Sequence, residues 1–293
     1  MKSHGTWHTH LKLNIMILSI IVTSQNRAKE LSRFFGSINQ QQGINLKEIQ
    51  IIFVDQGDNK DLFSQLDDRI DKVYLTSQRC SLSKARNIAL PFVKADFLAF
   101  GDDDCWYTRN TLQQVFNEFS KGYDGVIGHG LDAEGKETNS QGFKKKLISR
   151  KDQCGAISYC IFMKYDKDLR FDENIGVGSP YRLSSGEETD YLLSYMEMHP
   201  NFKIIYKPNI IIHHPTGKRG NFSDTLHKDY EYARGWGYVL QKHSLPISVK
   251  FKSFIRPIIG IITYGISCKP QRCKKSYFLL KGRIEGYRFK IDK

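Results

Sequence analysis

Three adjacent carboxylates, Asp102-Asp103-Asp104, follow directly on the apolar run Phe97-Leu98-Ala99-Phe100 and Gly101. Like charges crowded at the end of a buried strand repel one another, so the arrangement calls for a positive partner. Side chains alternate along an extended chain, which lets Asp102 and Asp104 point together while Asp103 turns away. Two carboxylates suit a hard divalent cation such as Mg²⁺ or Mn²⁺, leaving the other coordination positions to water and a substrate phosphate. A diphosphate bridged by the ion completes that chemistry. The alternative is a solvated acidic turn ahead of a helix over 110–121 with Thr108 as its cap.

A second acidic cluster lies at Gly186-Glu187-Glu188-Thr189-Asp190, after a loop containing Gly176 and Gly178. Carboxylates in the first turn of a helix are favoured by its dipole, which is one sufficient reason for them. A buried member of the group could instead act as a general base. Other candidates are spread along the chain. Asp55 ends an apolar run and is followed by Gln56-Gly57, so it either forms a turn or accepts from a base or ribose. Lys84, Arg86 and Asn87 fall in the first turns of a helix that Ser83 would cap, where they face phosphates or solvent. Of the neighbours His213 and His214, either could complete the cation's ligand set or meet the diphosphate, and His214 is taken as the ligand.

The elements that must position these groups read as an α/β fold. Largely apolar runs at 15–22, the first of them β-branched, and at 49–54, 72–75, 97–100 and 125–128 alternate with helical patterns such as Leu31, Phe34, Phe35 and Ile38. That alternation predicts βαβ units with a mainly parallel central sheet, whose ligands bind beyond the carboxyl ends of the strands. Residues 129–152 are polar and basic, an exposed connection able to act as a lid. Residues 203–206 and 210–215 predict a strand or a hairpin. A helix spans 223–243, and the glycines flanking Arg234 within it predict that something approaches closely there.

With 293 residues, 40% of them hydrophobic and 26% charged, the chain excludes disorder and fits one large domain with an appendage. Its +13 charge is uneven, because residues 246–293 hold 12 Lys/Arg against 2 Asp/Glu and so carry +10 of it. The division expected is therefore 13–245 as the body and 246–293 as a basic amphipathic segment. Such a tail suits an anionic membrane surface; nucleic acid is excluded as a partner because its backbone would be repelled by the acidic triplet. Residues 251–266 are too short and too interrupted by Lys252 and Arg256 to span a bilayer, which takes about 20 apolar residues. They fit an interfacial helix, or one packed on the body or on a second copy in a homo-oligomer. The 6 cysteines show neither a CxxC pair nor a dense framework, which points to reduced thiols in a cytoplasmic protein, peripheral on the inner face of the membrane. Residues 1–10 read as an untethered start.

Taken in order, Ile20-Ile21-Val22-Thr23, Val54-Asp55, Ser83-Lys84-Ala85-Arg86-Asn87, Phe100-Gly101-Asp102-Asp103-Asp104 and Gly186-Glu187-Glu188-Thr189-Asp190 resemble the motifs of family 2 glycosyltransferases of the GT-A fold. These are nucleotide-sugar enzymes of bacterial surface-polysaccharide assembly. The resemblance covers roughly 13–240, and the tail motif Gly282-Arg283-Ile284-Glu285-Gly286 is also similar. It implies an inverting, metal-dependent transfer from a nucleotide-diphosphate sugar, UDP-linked as first choice, to a glycan or lipid-linked acceptor. It implies donor contacts from Thr23, Asp55, Arg86, Asp102 and Asp103, with Asp102 and Asp104 holding Mg²⁺ or Mn²⁺. Where the family usually carries Glu-Asp this chain has Glu187-Glu188, so Glu188 aligns with the catalytic carboxylate and Glu187 stays open as the alternative. Two rivals stand beside this reading. A metal-dependent sugar nucleotidyltransferase would carry a glycine-rich loop at the first strand, where this chain has Thr23-Ser24-Gln25-Asn26-Arg27; a non-enzymatic basic membrane-binding module would leave the acidic clusters unused.

Overall fold

The computed structural model describes residues 16–139, 141–153, 155–216 and 221–291. The start at 1–10, the first residue of the run 15–22 and Cys154 lie outside the described residues. In chain order come β1 (Leu18–Ser24), α1 (Ala28–Asn39), β2 (Ile49–Asp55), the single turn α2 (Lys60–Phe63), β3 (Asp71–Thr76) and α3 (Leu82–Ala89). These are followed by β4 (Phe97–Asp102), β5 (Trp106–Tyr107), α4 (Thr111–Phe119), β6 (Gly125–Leu131), β7 (Lys146–Leu147), β8 (Ile161–Lys164), α5 (Glu187–Met198) and β9 (Ile204–His213). Three helices come last: α6 (Phe222–Lys242), α7 (Ile247–Ile266) and α8 (Pro270–Arg288).

β2 is buried along its whole length and β1 nearly so, as expected of strands covered on both faces. Helix α1 turns Leu31, Phe34, Phe35 and Ile38 onto them, an i, i+3, i+4, i+7 stripe. The sheet runs β3-β2-β1-β4-β8-β6-β9-β5, with β7 joined to β9. From β3 to β4 every neighbour is parallel. Beyond β4 the sheet is mixed, because β8 runs antiparallel to both β4 and β6 while β9 runs parallel to β6. The chain winds outward from β1 to β3 and then returns to lay β4 on the other side of β1. That reversal opens a crevice at the carboxyl ends of β1 and β4, where Thr23 sits opposite Asp102.

Several expectations are refined by the structure. The histidine-ending segment is one continuous strand, β9, accommodated by a register shift opposite β6 between Ile127 and His129. The 129–152 connection is docked rather than free-standing: β7 pairs with β9, and the buried Gln141 amide accepts from the Gly130 N–H and donates to the Gly128 carbonyl. The cap of α3 is Ser81, whose hydroxyl accepts from Lys84 N, while the Ser83 hydroxyl donates to the Ile175 carbonyl. Close approach around Arg234 is real. A Cβ on Gly235 would lie 2.1 Å from the Ser185 carbonyl oxygen, and one on Gly237 2.3 Å from that of Arg283 in α8. Helix α8 thus lies against α6, and α7 lies on α8. No helix among the described residues is long and apolar enough to cross a membrane.

Candidate active site

Asp102 occupies the last position of β4 and is held from two sides. Ser158 Oγ donates to its Oδ1 at 3.1 Å, and Arg86 Nη2 lies 3.2 Å from the same oxygen. Asp103 turns the other way, accepting from Ser24 Oγ at 2.7 Å and Arg27 Nη1 at 2.8 Å. Asp104 meets Arg27 Nη2 at 2.7 Å and His214 Nε2 at 2.9 Å. The backbone between them is pinned as well: Arg33 donates to the Asp104 carbonyl and its guanidinium lies 3.9 Å over the Trp106 ring. Trp106 in turn stacks on His213 at 5.0 Å, which engages that histidine and leaves His214 beside the carboxylates, stacked on Tyr159 at 4.5 Å.

The electrostatics separate the two buried aspartates. Burial pushes Asp103 up to about 6; Ser24 and Arg27 pull it down, and the neighbouring carboxylates push it further up. Burial acts on Asp104 in the same sense, but His214 and Arg27 outweigh it and hold the carboxyl down at about 2. His214 is the counterpart: burial disfavours its charge, and the bond to Asp104 more than compensates, raising its pKa.

Ligand atoms of Asp102, Asp104 and His214 all lie within 4.8 Å of one another. Because a carbonyl only accepts, His214 Nδ1 donates to the Pro215 oxygen at 2.9 Å, which leaves Nε2 facing the carboxylates: protonated it donates to Asp104, and once that proton is lost its lone pair can serve a metal. Two carboxylates and an oriented imidazole form a donor set that Mn²⁺ or Mg²⁺ can use. The residues present therefore fit the ion.

A cleft of about 590 Å³ opens at this point, lined by Thr23, Gln56, Arg79, the aspartates and His214. A second cavity of about 450 Å³ is lined by Ser158, Tyr159, Glu187, Glu188 and Lys228. Asp102 and His214 belong to both linings, so the acidic cluster forms the wall between two adjoining chambers. Gly186 makes the entry to α5 possible: its φ of +96° is a left-handed conformation that costs glycine nothing, and it aims the first turn at the second chamber. There the two glutamates differ. Glu187 is 4% exposed with Oε2 unpartnered among the described residues, and burial and then the Glu188 charge push its pKa well up, against the pull of Arg86. Glu188 is half-buried.

Thr23, Asp102, Asp103, Asp104, His214, Glu187 and Glu188 are thus brought to the two chambers, whereas Asp55 and Arg86 line neither. The Arg86 side chain is 2% exposed, packed against the rings of Phe100 and Phe171 and directed at Asp102. The cations that do line the first chamber are Arg27 and Arg79, which sequence reasoning passed over, as it did Ser158 and Tyr159. Arg27 sits in the polar turn after the first strand, and that was the available signal.

Asp55 is 1% exposed and accepts from Gly57 N, Asn59 N, Asn59 Nδ2 and the Tyr74 hydroxyl. Four donors fill the acceptor sites of a carboxylate. Burial opposes its charge, but these bonds prevail and lower its pKa, so its stabilising contribution is full above the unfolded-state value and fades as pH falls through the folded one. Asp55→Ala is therefore expected to cost about 1–3 kcal/mol in denaturant unfolding at neutral pH, the penalty for orphaning buried donors. Unchanged stability together with weakened nucleotide binding would instead assign Asp55 to the donor.

Comparison with known proteins bears on the family and the fold. Glycosyl transferase family 2 matches residues 19–182. No curated protein matches. Among solved structures, S. aureus TarS aligns with a TM-score of 0.56 at 16% identity over 89% of this chain and 55% of that one, so the chain spans about half the length of TarS. TarS 1-349 in complex with UDP-GlcNAc aligns at 0.55 and 16% identity over 94% of this chain and 95% of that one. Mannosyltransferase PcManGT from Pyrobaculum calidifontis, in complex with GDP-Man and Mn²⁺, aligns at 0.66 and 11% identity over 92% and 87% of the respective chains. At these identities the likeness speaks for the fold, which is GT-A. The family match covers more than half of the sequence and runs from β1 through the acidic triplet, and on that ground this chain belongs to glycosyl transferase family 2.

Proposed function

We propose that the protein moves a sugar from a nucleotide-diphosphate donor, a UDP-sugar first of all, to a hydroxyl of a glycan or lipid-linked acceptor in surface-polysaccharide assembly, with inversion at the anomeric carbon. The observation that carries this reading is the pair of chambers meeting at Asp102 and His214, with cations lining one and a candidate base lining the other. In the first chamber Thr23 and Asp103 border the nucleotide, and Arg27 and Arg79 balance the diphosphate charge as it grows. Asp102, Asp104 and His214 would hold Mg²⁺ or Mn²⁺, which supplies Lewis-acid stabilisation of the leaving diphosphate. Arg86 and Ser158 fix Asp102 from behind.

In the second chamber Glu188 accepts the proton of the acceptor hydroxyl. That oxygen forms its bond to the anomeric carbon on the face opposite the diphosphate, and the bond to the diphosphate oxygen breaks with its electrons. The nucleoside diphosphate leaves already activated, so no second carboxylic acid is needed, unlike glycoside hydrolysis. Residues 246–293 hold the enzyme at the inner face of an anionic membrane, where a lipid-linked acceptor would be found. Supporting relatives by their printed names bind UDP-GlcNAc, or GDP-Man with Mn²⁺. The test is to incubate the protein with UDP-sugars, Mn²⁺ and candidate lipid or glycan acceptors. Acceptor-dependent release of UDP is expected; consumption of pyrophosphate without it would assign a nucleotidyltransferase.

A further inference from the structure

The first turns of α7 form one wall of a cavity of about 720 Å³, together with Lys151, Asp152, Trp236 of α6 and Arg283 of α8. Lys151, Lys252, Arg256 and Arg283 all line it, whereas the one carboxylate among its described lining residues, Asp152, already meets Lys146 Nζ at 2.5 Å. Arg283 donates through Nη1 to the Ser253 carbonyl, but its buried Nε–H has no acceptor among the described residues. Burial and then the nearby Arg256 both oppose its charge. An arginine cannot shed its proton to escape such a site, so relief comes from an anion.

The outward face of the same helix is apolar. Ile247, Phe251, Ile258, Ile259, Ile262 and Ile266 are exposed and, at about 100° per residue, fall on one side of the helix, while Pro257 is buried. Ile259 stands one turn past Arg256 and two past Lys252, so the cations of the cavity border the stripe. A continuous exposed apolar face of this kind marks an interaction surface. The bordering cations Lys252 and Arg256 call for an anionic counterpart, which a second copy of the same basic segment does not offer. A surface that is apolar inside and anionic at its rim matches both halves.

We propose that the exposed face of α7 beds into an anionic phospholipid bilayer and that the cavity behind its first turns takes one headgroup phosphate between Lys252, Arg256 and Arg283. This rests on the membrane-facing reading of residues 246–293 and adds the binding site to it. The test is co-sedimentation of the full chain with vesicles of phosphatidylglycerol and phosphatidylcholine in equal parts, against phosphatidylcholine alone. Wild type is compared with Phe251→Ser/Ile262→Ser and with Lys252→Ala/Arg256→Ala, each checked for unchanged thermal unfolding. Wild type is expected to bind the mixed vesicles, the stripe variant to stay in the supernatant, and the cation variant to bind about twenty-fivefold more weakly, each cation near an anionic surface being worth roughly fivefold. Inorganic phosphate should weaken wild type beyond chloride at equal ionic strength and leave the cation variant unmoved. Wild type that ignores both vesicles overturns the membrane reading and this inference together. Wild-type binding that the cation variant matches overturns the headgroup site alone. A dimer in sedimentation velocity that the stripe variant abolishes would assign the face to a second copy.

Discussion

Glu188→Gln is expected to bind donor as wild type does and to lose transfer by about 10²–10⁴-fold, the span that a positioned general base contributes. The amide keeps the size and polarity of the carboxylate at the edge of the second chamber but cannot take the acceptor proton. Glu187→Gln supplies the contrast. That side chain is buried, its pKa is pushed well up and one of its oxygens has no partner among the described residues, so the structure already favours a neutral group there. A neutral amide should then alter transfer little. Single-turnover transfer alongside donor-binding calorimetry separates the roles. If Glu188→Gln turns over at the wild-type rate while Glu187→Gln does not, the base is Glu187, and its raised pKa would make transfer rise toward alkaline pH.

How much of this was legible in the sequence depends on how local each determinant is. The parallel half of the sheet was readable because β1, β2 and β4 are apolar runs, β-branched in the first two, long enough to be told from turns. β5 and β8, two and four residues long, carry too little pattern to be noticed, yet β8 turns the sheet from parallel to mixed beside the site. The alternation that groups Asp102 with Asp104 is a property of extended chain and could be stated in advance. Alternation also puts His213 and His214 on opposite faces of their strand, but which face meets the acidic cluster is decided by the pairing of Trp106 with His213. Arg86 shows the same limit. A cation at the start of a helix reads as a phosphate ligand, and only tertiary packing reveals it lying against two aromatic rings and holding Asp102 in place. Asp55 could be read as a turn or as a nucleotide contact. Tyr74, which donates to it from the adjacent strand β3, is nineteen positions away, beyond the reach of any local motif.

Asp104→Ala is expected to abolish the Mn²⁺-dependent part of donor binding and to lower transfer by on the order of 10²-fold or more, since ion-supplied charge stabilisation is worth several kcal/mol. Two losses coincide at this position. One ligand of the proposed cation site disappears, and His214 is left without the carboxylate that raises its pKa. Arg27 keeps its bond to Asp103, so the backbone turn should survive and thermal unfolding should change less than binding does. His214→Ala is the milder change, because the two carboxylates that carry the site's negative charge remain; weaker Mn²⁺ affinity with donor binding restored at high metal concentration is the expected result. Arg27 makes the comparison informative. Its guanidinium bridges Asp103 and Asp104, and Asp104 belongs to the proposed cation site, so metal and arginine compete for one carboxylate. Arg27→Ala should therefore bind Mn²⁺ more tightly in the absence of nucleotide and bind the nucleoside diphosphate more weakly. If Asp104→Ala retains the full Mn²⁺-dependent heat, the ion does not sit between Asp104 and His214, and Arg27 and His214 rather than a metal answer the charge of Asp104.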